Sequence, residues 1–447
     1  MGFYPHSADD VRKMVEKLRI NNVDELFSSI NKKKLNPEIN LPEPLTENEA
    51  FEELKKLANM NFSDMICFTG AGSYDHYVPA IVDEISGRSE FYTAYTPYQA
   101  EVSQGTLQTI YEFQSMICAL TGMEVSNASM YDGASALAES IIVAMNQKKK
   151  SNIVLIPENI NPDYVKVIYT YIAGLDINVV RVPINKNGLL DINFLKNYQN
   201  IGQVGALVVQ NPNFFGLMET QIDEIIKFKQ ENSIMLIGVV NPITLPVFKT
   251  APDIDYDILT GEAQPLGMYR SFGGPYIGFI ATKEKYLRKL PGRIVGMTDD
   301  TEGNRCFVLT LQAREQHIRR DKATSNICSN QALCATRAAV FMSVLGKQGM
   351  KELAFVNIQK ARELMEILLK KGFELKYNGT FFNEFVVYCK NAADIHEKLL
   401  KKGIMLGIKL EDSSFLNMKD CLLICATEKS SLKNFEKLEK ALDEVTI

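Results

Sequence analysis

Between residues 150 and 282, short continuous runs of apolar residues alternate with segments of helical periodicity. Continuous apolar runs are typical of parallel strands that helices cover on both faces. The helical segments are Tyr164–Ala173, Ile192–Tyr198 and Glu219–Lys229. Strands are predicted at Ile153–Pro157, Val179–Pro183, Ala206–Gln210, Ile234–Val240, Ile258–Leu259 and Tyr276–Thr282. This alternation predicts a doubly wound α/β domain with right-handed crossovers and a mostly parallel sheet.

The two ends of the chain have different patterns. Ser7 and Thr46 each precede an apolar-periodic segment, and Glu49 completes a capping box with Thr46, so two helices are predicted there. Residues 305–346 form a charged stretch that passes into a helix, and an α+β pattern begins at Phe373. We therefore predict three parts: a helical N-terminal arm (1–62), a large α/β domain (63–325) and a small α+β C-terminal domain (326–447).

Composition excludes several classes of function. The net charge of -5 gives no basic field that would attract nucleic acid. No apolar run is long enough to span a bilayer, and the first ten residues lack the pattern of a secretory leader. The eight cysteines form no CxxC pair and only four histidines are present, which indicates reduced thiols and no metal site. We expect a cytoplasmic protein with no nucleic-acid or membrane partner.

Two glycine-containing loops carry candidate chemistry. The stretch Asp257–Thr282 joins two strands and contains no lysine; Lys249 and Lys283 lie outside it on either side. The segment Gly133–Ser135 follows Asp132 at a predicted helix start, where backbone N–H groups favour an anion. A plain N-cap explains the second loop at least as well as a phosphate site does.

Residues 68–105 are rich in tyrosine, glycine and proline. A tyrosine has an apolar ring and a hydroxyl that needs a partner, so a dense group of them suits a pocket or an interface. An ordinary surface loop with turn residues is the alternative interpretation.

Four motifs, in order along the chain, resemble one known family. They are FTGAGSYDHYVPA (68–80), YTPYQAEVSQG (95–105), LTGEAQPLG with SFGGPYIGF (259–279) and LQAREQHIRRDKATSNIC (311–328). They resemble the glycine decarboxylase P-protein family of the glycine cleavage system. The similarity is to its amino-terminal half, which in many bacteria is a separate alpha subunit (subunit 1). It runs from Met1 to the end, where LICATE (423–428) resembles the closing strand of the family.

The resemblance implies the fold of aspartate-aminotransferase-like enzymes, which use pyridoxal phosphate (PLP; fold type I). Active members have a Schiff-base lysine after the strand that corresponds to Asp257–Leu259, and an aspartate for the pyridine nitrogen after an earlier strand. At these places the chain has Glu262 and Ala263, and Asn241. The resemblance therefore implies that this chain does not bind PLP covalently and that a partner beta subunit does.

The resemblance also implies the reaction. Two alpha and two beta subunits form a heterotetramer, which decarboxylates glycine and passes the aminomethyl group to the lipoyl arm of the H-protein. Two alternatives stay open. The chain is a self-contained PLP enzyme with a lysine elsewhere, or it is a scaffold that only stabilises or regulates the beta subunit.

Two groups of site residues follow from the resemblance. One group faces the composite glycine site, unless it only packs a turn: Tyr95, Tyr98, Gln99 and Glu101. The other contacts the phosphate of PLP on the beta subunit, unless it only joins the domains: Thr324, Ser325 and Asn326. Four cations precede the second group, and cations with hydroxyl donors suit a phosphate: Arg314, Arg319, Arg320 and Lys322.

Overall fold

The computed structural model describes most of the 447 residues, namely 5–31, 34–35, 37, 40–62, 64–148, 150–248, 251–323, 325–412 and 418–445. The chain forms two compact units, Met1–Ser63 and Asp64–Ile447. The predicted domain boundaries at residues 62 and 325 stay predictions.

The first unit contains two helices, α1 (Ala8–Leu18) and α2 (Glu47–Ala58), with a 3₁₀ turn at Val23–Phe27 between them. Both helices begin at the predicted caps. The side chains of Ser7 and Thr46 each accept a hydrogen bond from the backbone N–H three residues on. The capping box predicted for Thr46 and Glu49 forms, and Ser7 forms a further one with Asp10 that was not predicted. Neither helix contains a buried residue, so the apolar face of each is exposed.

The second unit contains the remaining helices and all the described strands. The helices are α3 (Ala80–Ser86), α4 (Ser89–Tyr92), α5 (Gln104–Thr121), α6 (Gly133–Gln147), α7 (Pro162–Ile172), α8 (Ile192–Lys196), α9 (Ile222–Asn232), α10 (Ala251–Ile254), α11 (Gln316–Arg319), α12 (Ala332–Lys370), α13 (Ala392–Leu400) and α14 (Leu432–Val445). The strands are β1 (Ile66–Cys67), β2 (Val125–Ser126), β3 (Ile153–Pro157), β4 (Asn178–Val182), β5 (Val204–Gln210), β6 (Met235–Val240), β7 (Ile258–Glu262), β8 (Gly278–Thr282), β9 (Ile294–Asp299), β10 (Arg305–Thr310), β11 (Glu374–Leu375), β12 (Glu384–Tyr388), β13 (Ile404–Met405), β14 (Ile408–Lys409) and β15 (Cys421–Cys425).

The described strands form one large central sheet in the order β2-β8-β7-β6-β5-β3-β4. Strands β3 to β7 are parallel, whereas β8 is antiparallel to β7 and β2 is antiparallel to β8. Side chains alternate between the two faces. Leu155 lies in a core cluster with α5 and α12, and Ile156 lies in another with α6 and α7. Burial on both faces explains the continuous apolar runs, and the predicted α/β fold class is confirmed.

Near the C-terminus, a smaller antiparallel sheet has the order β11-β12-β15-β14. A further hairpin, β9–β10, has its second strand in residues 305–346, where the sequence predicts a charged stretch that passes into a helix. In its strand β10, the buried Phe307 and Leu309 alternate with the half-buried Cys306 and Val308, a period of two that the nearby charges conceal. In the described residues no helix is long and apolar enough to cross a membrane, and no cluster of metal-ligating side chains occurs.

Candidate functional site

The carboxyl ends of the central strands form the edge where ligands bind in open α/β sheets. Strands β6 and β7 end side by side, since Val240 pairs with Gly261. Asn241 follows β6, and its Oδ1 accepts the backbone N–H of Ile243 at 3.0 Å, which caps a short 3₁₀ turn. Ala263 follows β7 and is fully buried in the core. Neither side chain supplies an amine or a carboxylate.

Glu262 is the last residue of β7, and its side chain is held by backbone N–H groups. Oε2 accepts from Gly133 at 2.9 Å, while Oε1 accepts from Gln264 at 2.8 Å and from Ile277 at 3.3 Å. Burial raises the pKa of Glu262 to about 8, although the three hydrogen bonds oppose this shift. The side chain is thus fixed in one position by three different segments of backbone.

The predicted anion site at the start of α6 is filled from within the chain. Asp132 caps the helix by accepting the backbone N–H of Ser135 at 2.7 Å, and Glu262 takes the N–H of Gly133. A Cβ atom on Gly133 would lie 2.5 Å from the hydroxyl of Tyr164 and 2.8 Å from the backbone N of Glu262. Of the two interpretations that the sequence left open, the structure therefore shows the N-cap.

A second buried carboxylate, Glu384 at the start of β12, lies at the same edge of the sheet. Its Oε1 accepts the backbone N–H of Ala71, and its Oε2 accepts the hydroxyl of Tyr74, both at 2.6 Å. Burial raises the pKa of Glu384 to about 7. Glu262 and Glu384 line one small polar cavity of about 30 Å³, together with Tyr74 and Asn241.

The part of the tyrosine-rich segment that is predicted to face glycine, residues 95–101, lies outside this cavity. Tyr95 is 84% exposed, and Gln99 and Glu101 are also exposed. The hydroxyl of Tyr98 accepts a hydrogen bond from Nη2 of the buried Arg293 at 3.1 Å. These side chains do not line the cavity of Glu262 and Glu384.

Tyr98 links this segment to the predicted phosphate segment. Its ring makes an edge contact with His317, at 5.6 Å between centroids, and Arg293 lies 3.6 Å from the carboxylate of Glu315. Two motifs separated by more than two hundred residues in sequence therefore lie side by side in the fold. The sequence alone gave no indication that Arg293 connects them.

The cations of the phosphate segment have unequal roles. Arg314 donates to the backbone carbonyls of Leu290, Gly292 and Leu311, and burial lowers its pKa. It therefore holds the local backbone. The exposed cations Arg319, Arg320 and Lys322 line an open hollow with Arg288.

The hydroxyl and amide residues after these cations are only partly described. The Oγ of Ser325 accepts the backbone N–H of Ile327 at 3.1 Å, and Asn326 is exposed. Thr324 lies outside the described residues. Their contact with a phosphate stays a prediction.

Sequence reasoning missed Glu384 and Asn383, which line the cavity. One feature of the sequence could have indicated Glu384: it directly precedes the apolar run FVVY. A charged residue next to a buried strand needs a polar partner. The partner itself, Tyr74, is 310 residues away along the chain. No local pattern predicts that pairing.

The sheet order and the position of the cavity define the class: the chain has the fold type I architecture of PLP-dependent enzymes. A solved glutamate decarboxylase from Lactobacillus brevis shares this fold with a TM-score of 0.68 at 12% identity, covering 92% of this chain and 95% of that chain.

Greater similarity identifies the family. Residues 1–442 match the model of the family described as glycine cleavage system P-protein. The chain is 46% identical over 445 residues to the probable glycine dehydrogenase (decarboxylating) subunit 1 of Carboxydothermus hydrogenoformans, which covers 99% of each chain. A crystal structure of glycine decarboxylase (P-protein) in inhibitor-bound form matches with a TM-score of 0.91 at 37% identity, covering 100% of both chains. The chain belongs to the glycine cleavage system P-protein family, which confirms the resemblance of its motifs.

Proposed function

We propose that this chain is subunit 1 of a glycine dehydrogenase (decarboxylating) that is active only with a second, beta subunit. The observation that carries the proposal is its similarity, from end to end, to relatives with that name. The complex decarboxylates glycine and transfers the aminomethyl group to the lipoyl arm of the H-protein. Two alpha and two beta subunits form the heterotetramer, and free thiols support a cytoplasmic location.

The residues at the strand ends of this chain do not fit PLP. Their cavity of about 30 Å³ admits about two to three water-sized groups, whereas ligand pockets typically measure roughly 300–1,000 Å³. Glu262 occupies the helix N-terminus that a phosphate would need, and Ala263 offers no amine. In this proposal PLP is bound by the beta subunit.

The contribution of this chain to catalysis is one wall of the site on its partner. Tyr95, Tyr98, Gln99 and Glu101 face glycine, and Thr324, Ser325 and Asn326 contact the phosphate of PLP. The contacts of Tyr98 with Arg293 and His317 support this proposal, because they bring the two segments to one surface. Residues of both segments can therefore contact the same partner subunit.

Activity with and without this chain tests the proposal. The beta subunit is purified alone and in complex with this chain, and glycine decarboxylation with H-protein is measured. We expect activity in the complex only. Full activity of the beta subunit alone would instead support a scaffold or regulatory role for this chain.

Reduction with borohydride in the presence of PLP, followed by peptide mapping, tests the location of the cofactor. We expect pyridoxyl-lysine in peptides of the beta subunit. A stoichiometric pyridoxyl-lysine in this chain would overturn the subunit assignment in favour of a self-contained PLP enzyme.

A further inference from the structure

The motif SFGGPYIGF (271–279) runs from the loop after β7 into β8 and has no role in the proposed function. Its second residue, Phe272, is 100% exposed. A phenyl ring in water buries no apolar surface within this chain, so it adds nothing to the stability of the core. Tyr269, earlier in the same loop, is 48% exposed. Two exposed aromatic rings on one loop indicate a contact surface, because aromatic residues are enriched where proteins meet.

The backbone at Phe272 adds a second observation. The N–H of Gly273 donates to the carbonyl of Arg270 at 2.9 Å and closes a tight turn, whose central residues Ser271 and Phe272 have φ values of 42° and 55°. Positive φ at both central positions is typical of a type I′ turn, which prefers glycine, asparagine or aspartate because Cβ is crowded there. A phenylalanine therefore makes this turn less stable, and no contact of its exposed ring within the chain offsets that cost.

Side-chain hydrogen bonds hold the two ends of this loop. The hydroxyl of Tyr269 donates to Oδ2 of Asp83 at 2.6 Å, and the hydroxyl of Tyr276 donates to the carbonyl of Arg270 at 2.8 Å. These contacts fix the base of the turn, so the ring of Phe272 is presented to the solvent from a supported position. A side chain presented in this way loses less conformational freedom when it binds a partner.

We propose that Phe272 is an anchor residue of the interface with the beta subunit, where its ring fills an apolar pocket. This inference rests on the proposed function, which requires a partner of different sequence. Aromatic residues that fill pockets contribute much of the binding energy of protein interfaces, and this contact would offset the cost of the turn. A second copy of this chain is a poorer occupant, because the hollows described on it are polar or lined by arginine.

Phe272→Asn tests the anchor, because it removes the ring and introduces a residue that tolerates positive φ. Titration calorimetry measures the affinity of the full chain for the beta subunit, and urea denaturation measures the stability of the chain alone. We expect the affinity to fall at least ~10-fold, while the urea midpoint stays equal or rises. A lower midpoint would show that the ring stabilises this chain itself, and would overturn the role as an external anchor.

Ser271→Gly is the matched control. It relaxes the neighbouring position of the same turn and keeps the phenyl ring, so the affinity for the beta subunit should stay within about 3-fold of the parent. A loss of affinity as large as that of Phe272→Asn would show that the conformation of the turn, and not the ring, decides binding. That result would overturn the proposal.

The parent chain separates failure of this inference from failure of the proposed function. A parent chain that does not bind the beta subunit contradicts the proposed function and this inference with it. Equal affinity of the parent and Phe272→Asn overturns the anchor alone.

Sedimentation equilibrium of the chain without the beta subunit tests the other occupant. We expect the parent and Phe272→Asn to have the same molar mass in solution. A dimer of the parent that Phe272→Asn dissociates would assign the ring to a second copy of this chain, and would overturn the assignment to the beta subunit.

Discussion

Oε2 of Glu262 lies 2.9 Å from the backbone N of Gly133 and accepts its hydrogen bond. Gly133 is the first residue of α6, and the first N–H groups of a helix have no partner within it. The N-terminus of a helix attracts anions, and here the carboxyl group of Glu262, at the end of β7, occupies that position. The contact joins helix and strand directly and leaves no space between them for a phosphate.

Glu262→Gln should destabilise the chain. The glutamine Oε1 can still accept from Gln264 and Ile277, but its NH₂ group faces the N–H of Gly133, which leaves that buried donor unpaired. We expect a loss of about 1–3 kcal/mol in the free energy of unfolding, measured by urea denaturation. Glu366→Gln, on the exposed side of α12, is the control and should change little. Equal stability of both variants contradicts the role of this contact.

Stability should depend on pH through Glu384. Burial raises its pKa in the folded chain from the ordinary value of 4.5 to about 7, so between these pH values the folded state keeps a proton that the unfolded state releases. The free energy of unfolding therefore falls as pH rises from about 4.5 to 7, by on the order of 3 kcal/mol. Urea denaturation at several pH values measures this fall. The difference between the parent chain and Glu384→Gln should change across the window, and a constant difference would contradict the assignment.

An ion-pair network at the opposite end of the sheet from the cavity should support stability. Nζ of the buried Lys229 lies 2.8 Å from Asp255 and 3.1 Å from the buried Asp257. Lys229→Met leaves Asp257 with the more distant partners Lys283 and Lys285, and we expect a loss of about 3 kcal/mol in chemical denaturation.

The matched control for this network is Lys227→Met on the same helix. Lys227 is exposed and lies 3.8 Å from Glu231, so its loss should stay within about 0.5 kcal/mol. Similar effects of the two substitutions would show that burial does not decide how much the ion pairs of Lys229 contribute to stability.

Tyr95→Phe and Tyr98→Phe should lower the turnover of the complex while assembly stays intact. Each removes one hydroxyl, and for Tyr98 that hydroxyl holds Arg293. The loss of one hydrogen bond corresponds to about a 3- to 10-fold decrease in kcat. Tyr169→Phe, an exposed tyrosine on α7, is the control. Unchanged kinetics in both test variants would indicate that this segment only packs a turn.

Thr324→Val should weaken the retention of PLP by the complex without dissociating it. A charge-assisted hydrogen bond to phosphate is worth roughly 1.5–3 kcal/mol, or about a 10- to 150-fold change in affinity. Titration of the apo-complex with PLP measures the change, and Thr301→Val in an exposed turn is the control. A variant that titrates like the parent would show that residues 314–326 only connect domains.

The sequence by itself determined the local elements and the family. Strand Ile153–Pro157 has the predicted bounds, and the caps at Ser7 and Thr46 form as expected. These features depend on residues that are neighbours along the chain, so periodicity and capping chemistry are sufficient to predict them. The motifs likewise identified the family, because their residues and their order can be read directly from the sequence.

Only the tertiary structure decided which distant polar groups meet. Tyr74 pairs with Glu384 across 310 residues, and Tyr98 accepts from Arg293 across 195. Glu262 turns out to fill the helix terminus that the sequence offered as an anion site. When the chain packs, polar groups that become buried need hydrogen-bond partners. The fold decides which distant segments are close enough to supply them. The same burial raises the pKa of Glu262 and Glu384, because the cost of removing a charge from water exists only once the chain has folded.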